Sequence, residues 1–78
     1  MTRNELIRLC RDARLRARLR QSDIAAISNV TGSAVSHFER DGFGSIDIFL
    51  GYVNSIPGLF LEITRTFEEV TYDRQTNT

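Results

Sequence analysis

Lysine is absent from this chain, and cysteine, histidine and proline occur once each. A single cysteine excludes an intramolecular disulfide framework. One histidine and one cysteine cannot build a structural zinc site, and no cofactor or metal is expected. No apolar run approaches the ~18 residues of a membrane-spanning helix. The opening MTRNELIRLC lacks the apolar stretch and cleavage site of a signal peptide, so the expected location is the cytoplasm. There is no plausible Ser/His/Asp set, no phosphate-cradling glycine loop and no metal cluster, so an enzyme is not expected, nor a small-molecule ligand.

What is present suits one small domain. The chain has 78 residues, 41% of them apolar and 26% charged, which argues against bulk disorder. Residues 1–72 are expected to form that domain, and the polar DRQTNT of residues 73–78 a frayed tail.

The net charge is zero, but it is unevenly spread. Residues 1–20 carry seven arginines against Glu5 and Asp12, a net +5. Residues 21–42 carry Arg40 against Asp23, Glu39 and Asp41, a net −2. Residues 43–78 carry Arg65 and Arg74 against five acids, a net −3. A basic end and an acidic end suggest one face turned toward a polyanion.

With breaks at Asn29 to Gly32, Asp41 to Ser45 and Pro57-Gly58, the chain reads as five helical stretches with no strand hairpin, an all-α fold. In the first, residues 4–18, Leu6, Leu9, Cys10, Ala13 and Ala17 share one side at 100° per residue. Arg8, Arg11 and Arg18 fall on the other side. Cys10 reads as a small buried hydrophobe. Arg14 sits at the edge of the apolar stripe, where a partly buried guanidinium needs a carboxylate. The second helix, 21–28, carries Ile24, Ala25 and Ile27, and Asn29 can take the left-handed conformation that ends it. Thr31 or Ser33 caps the third, which points Val35 and Phe38 inward. The fourth, 45–56, has Ser45 as N-cap and Ile46, Phe49, Leu50, Val53 and Ile56 as its stripe. Ile48 and Tyr52 fall to one side of that stripe. The fifth, 59–71, has Leu59, Phe60, Ile63, Phe67 and Val70 within one arc and Leu61 off it. TFEEVTY (66–72) could instead be a strand, but helix is preferred.

The informative stretch is QSDIAAISNVTGSAVSHFER, Gln21 to Arg40. Two short helices meet at a tight turn, with the small Ala25 where they would cross. The outward face of the third helix carries Thr31, Gly32, Ser33, Ser36, His37 and Arg40. These groups are small or hydrogen-bonding and can lie against phosphates and base edges without repulsion.

Leu19, Gln21, Ile24, Ala25, then Asn29-Val30-Thr31, Val35-Ser36 and Glu39-Arg40 resemble the helix-turn-helix of the lambda-repressor and Cro-type family of phage and bacterial regulators. The resemblance spans residues 4–71 and implies a compact five-helix DNA-binding domain. It implies that Gln21 bonds a phosphate and steadies the next helix. It places Thr31, Gly32, Ser33, Ser36 and His37 toward the major groove. It pairs Arg14 with Glu39 as a structural tie between the first helix and the end of the third. His37 and Arg40 are the best base or phosphate contacts, and Arg20 is placed to meet the backbone. Three departures matter. Asn29 replaces the turn glycine, Gly32 and Ser33 stand where longer readers are common, and Ser28 stands where a large apolar residue is usual. With few long readers, specificity is expected from water-mediated contacts or DNA shape.

The implied function is a sequence-specific double-stranded DNA-binding transcriptional regulator, expected to be a repressor, acting as a homodimer on a palindromic operator in a bacterial cell or phage-infected host. Ile48, Tyr52 and Leu61 are left over from the core stripes and are candidates for the dimer interface. The alternative is a protein-binding module that keeps the fold without DNA specificity. It is favoured by the neutral charge and the short readers.

Overall fold

The computed structural model describes residues 1–76, with side chains over residues 1–67. Within them lie five α-helices and no strand: α1 (Arg3–Arg16), α2 (Gln21–Ser28), α3 (Gly32–Asp41), α4 (Ile46–Ser55) and α5 (Leu59–Thr76). The TFEEVTY segment is helical. Residues 73–76 continue α5 where a frayed tail was expected, and residues 77–78 of that tail lie outside the described residues.

Local signals set most of the boundaries. Thr2 and Glu5 form a reciprocal capping box at the start of α1, with Glu5 N–H donating to Thr2 Oγ1 at 3.2 Å. α1 ends at Arg16, two residues earlier than its apolar periodicity suggests. Arg18 takes the left-handed conformation (φ +60°), and Leu19 N–H donates back to the Arg14 carbonyl at 3.1 Å. That is a Schellman closure made without glycine. Asn29 closes α2 in the same way (φ +57°), with Val30 N–H bonded to the Ala25 carbonyl at 3.0 Å. Thr31, not Ser33, caps α3, its Oγ1 accepting from Ala34 N–H at 3.1 Å. Ser45 occupies the N-cap position of α4, but its side chain makes no capping bond.

The core gathers Ile7, Cys10 and Ala13 of α1, Ile24 and Ala25 of α2, Val35 and Phe38 of α3, Ile48, Tyr52 and Ile56 of the α4 segment, and Leu59. Several helix faces differ from the periodicity reading. In α1, Ile7 is buried and Ala17 is exposed, because the helix has already ended before Ala17. In α4, Ile48 and Tyr52 are 2% and 0% exposed, whereas Ile46 is 68% exposed and Leu50 is also at the surface. Ile48 and Tyr52 therefore cannot form an interface between copies. The apolar residues of α4 cover a broad arc opposite Asp47, Asn54 and Ser55, so its composition does not choose between the two edges of that arc. Gly51 does. A Cβ at Gly51 would overlap the Ser28 hydroxyl and lie 3.3 Å from Ser28 Cβ. α2 crosses α4 at this glycine, and the residues three before and one after it are drawn inward. The small Ser28 is thus matched by the absent side chain opposite. In α5, Leu59 is buried and Ile63 half-buried, but Phe60 and Phe67 are exposed. The Val70 side chain lies outside the described residues. Leu61 is 67% exposed.

Candidate nucleic-acid interface

α3 has two chemically distinct faces. The inner one is tied down through Glu39. Arg14 of α1 grips its carboxylate bidentately, Nε to Oε2 at 2.7 Å and Nη2 to Oε1 at 2.9 Å. Arg14 Nη1 also donates to the Leu19 carbonyl at 2.9 Å, just past the end of its own helix. Gln21 Nε2 of α2 donates to Glu39 Oε1 at 3.2 Å, and the Tyr52 hydroxyl of α4 donates to Oε2. One carboxylate therefore joins four helices. The Arg14 and Glu39 side chains are 10% and 5% exposed. Burial alone would raise the Glu39 pKa. The bonds from Arg14, Tyr52 and Gln21, with the Arg14 charge, outweigh burial and hold it below the usual carboxylate value. Burial, then the bond to Glu39 and its charge, push the Tyr52 hydroxyl well above its ordinary value, so it stays a donor.

Tyr52 was not anticipated in this network. The clue was there: it is the one hydroxyl-bearing aromatic in α4, and a buried tyrosine hydroxyl needs a partner. Gln21, expected to bond a phosphate and steady the next helix, bonds Glu39 of that next helix.

The outer face carries Thr31, Gly32, Ser33, His37 and Arg40 at the surface, with Ser36 half-buried. The Thr31 oxygen is spent on the helix cap, but its hydroxyl proton remains available. Arg40 is not free. Its Nε donates to Asp41 Oδ2 at 2.9 Å and its Nη2 to His37 Nδ1 at 3.1 Å. Arginine has only donors, so this contact is a hydrogen bond only with Nδ1 as acceptor, and the same Nδ1 lies 3.6 Å from Asp41 Oδ2. Asp41 places a carboxylate beside a face whose own six residues carry none. Its pair with Arg40 is exposed on both sides, and such pairs are weak and readily exchanged for another anion.

Arg20 precedes α2 with its side chain 81% exposed. Its backbone N–H donates to Asp23 Oδ2 at 2.7 Å, and that bond is the main cause of the lowered Asp23 pKa. Two surface features border α3. A notch of about 170 Å³ between α1 and α3 is lined by Asn4, Arg8, Arg11 and Arg40, with Ile7 and Glu39 at its floor. An open groove of about 440 Å³ runs on the other side, among Val30, Ala34, His37, Phe43, Ser45 and Ile48.

Among the described residues, no group of three His, Cys, Asp or Glu side chains could hold a metal ion. No single helix among them is long and apolar enough to cross a membrane. Models of known protein families, curated proteins and solved structures offer no match to the chain.

Proposed function

We propose that the chain is a sequence-specific double-stranded DNA-binding regulator of the lambda-repressor and Cro kind, with α2 and α3 as its helix-turn-helix. The observation that carries this reading is the contrast between the faces of α3. The inner face is locked to α1, α2 and α4 through Glu39. The outer face offers a glycine, three hydroxyls, an imidazole and a guanidinium. A rigid helix with small donors on its open side can enter a major groove, where side chains meet base edges and phosphates. Arg20 at the start of α2 is placed to meet the backbone, with Arg40 at the other end of α3.

One such unit reads few base pairs. Two copies on a palindrome, with half-sites about 34 Å apart, double the contacts. Regulation is then by occupancy of the operator. The test is selection from a randomised duplex library at about 150 mM salt, where non-specific phosphate binding is weakened. The expected result is an enriched motif with two-fold symmetry. Loss of both His37 and Arg40 to alanine is expected to weaken binding to it about tenfold or more. Unchanged binding by that double variant would sink the groove reading.

A second reading, a protein-binding module, draws support from one specific feature: the Arg40 guanidinium is already engaged by Asp41. No enrichment from the library, with only weak salt-sensitive binding, would favour it.

A further inference from the structure

Beside the outer face of α3 stands an aromatic ring that the interface above leaves unused. Phe43 lies in the link between α3 and α4 and is 59% exposed. Its ring neighbours are polar. The Arg3 guanidinium lies over it, 5.4 Å from the ring centroid. The His37 ring is 5.9 Å away, tilted by 40°. His37 Nδ1 in turn lies 3.1 Å from Arg40 Nη2. The order across the surface is cation, ring, ring, cation.

The backbone holds this strip in place. Gly42 ends α3 at φ +78°, and a Cβ there would meet Ile7 Cδ1 at 2.6 Å and Arg3 Cδ at 2.9 Å. The link is therefore pressed onto the start of α1, which sets Phe43 beneath Arg3. A ring already positioned in this way loses little freedom on binding. The groove bounded by Phe43, Ala34 and His37 leaves space next to the ring.

We propose that Phe43 packs against a nucleobase at the step flanking the half-site, partly unstacking that step, while Arg3 and Arg40 take neighbouring phosphates. This inference rests on the DNA reading above. A nucleotide matches the strip part by part: a flat π face for the phenyl ring and anionic oxygens for the guanidinium groups. Apolar side chains that enter a base step kink the duplex there. Pyrimidine–purine steps unstack most easily, so TA or CA is expected at the flanks of the enriched motif.

The chain has no tryptophan, so Phe43→Trp installs a single indole, excited to the red of the two tyrosines, that keeps the aromatic face. The probe is the duplex enriched by the wild-type protein, end-labelled so that anisotropy reports binding and tryptophan emission reports stacking. The expected result is binding by Phe43→Trp accompanied by quenching that high salt reverses. Phe43→Ala is expected to weaken binding about 5- to 150-fold, the range that base–aromatic stacking contributes. Its melting transition stays native, because the ring is exposed. Binding of Phe43→Trp without quenching, or wild-type affinity in Phe43→Ala, would overturn the inference. If the His37/Arg40 double variant still loses affinity in that case, the DNA reading stands alone. Equal quenching by polyglutamate would assign the strip to any polyanion and also overturn it. A wild-type chain that enriches no duplex removes both readings.

Discussion

Glu39 accepts from Arg14, Gln21 and Tyr52 at once, and this decides what acid does to the protein. Its folded pKa lies below its ordinary value of 4.5. A depressed carboxylate stabilises the fold above the unfolded pKa, and that stability is lost as pH falls through the folded value. The melting temperature is therefore expected to drop steadily as the pH falls below 4.5. Glu39→Gln keeps the size but leaves Arg14 buried without its counter-charge. It should cost about 3–5 kcal/mol in chemical denaturation at neutral pH, as removal of one partner from a buried pair does. A variant as stable as the wild type would show that the network contributes nothing. Cys10 offers a second check. It is fully buried, and burial, helped by the Glu39 charge, pushes its thiol up to about 12. Alkylation by iodoacetamide at neutral pH is expected only as fast as the chain unfolds. Modification at the rate of a free thiol would contradict this placement. The role of Cys10 as a small hydrophobe was legible from its position on the α1 stripe. The role of Tyr52 was not, because the sequence does not say which carboxylate a tyrosine will meet.

Between elements, the crossing of α2 over α4 depends on two small residues. Ser28 Oγ is buried, with no hydrogen-bond partner, against the bare Cα of Gly51. Gly51→Ala forces the helices apart, and overpacking of this kind costs about 1–3 kcal/mol. Ser28→Ala removes an unsatisfied hydroxyl and is expected to be neutral or stabilising. In the Ser28→Ala background the nearest atom to the new methyl is Cβ at 3.3 Å, so Gly51→Ala should cost less there. A double-mutant cycle by urea denaturation measures this coupling, and simple additivity would refute the account of the crossing. The departure at Ser28 was visible in the sequence as a gap in the core. Its compensation lies 23 positions further on, at a glycine with no local reason to be noticed. The same glycine turned α4 so that Ile48 and Tyr52 face the core. Periodicity could not foresee this, since the apolar arc of α4 is wide enough to bury either of its edges.

For the molecule as a whole, turning α4 inward changes where a second copy could sit. Of the three residues expected at an interface, only Leu61 is at the surface. Leu61→Glu is expected to leave the thermal transition unchanged and to lower the average mass in sedimentation equilibrium, if copies pair through α5. A loss of stability in dilute monomer would show instead that Leu61 supports the fold. Charge acts at this scale too. Arg8, Arg11 and Arg40 converge on the notch between α1 and α3. The chain is neutral overall, so the proposed attraction to a polyanion rests on this clustering, whose field fades within a Debye length of about 8 Å at physiological salt.

Five helices, their caps and their turns were determined by short-range chemistry: Thr2 with Glu5, Asn29 in its left-handed turn, Gly42 and Pro57-Gly58. Each acts within four or five residues, and Asn29, the break at Gly42 and Pro57-Gly58 were legible for that reason, whereas the Thr2–Glu5 box and the end of α1 at Arg16 were not read from the sequence. The face each helix buries was decided by the tertiary structure, because that choice depends on contacts between residues far apart in the chain. Gly51 against Ser28 selected the inner face of α4. Tyr52 and Gln21 reached Glu39 only once four helices had closed around it. Phe43, an unremarked loop residue in the sequence, stands between Arg3 and His37 only because Gly42 presses its loop onto α1.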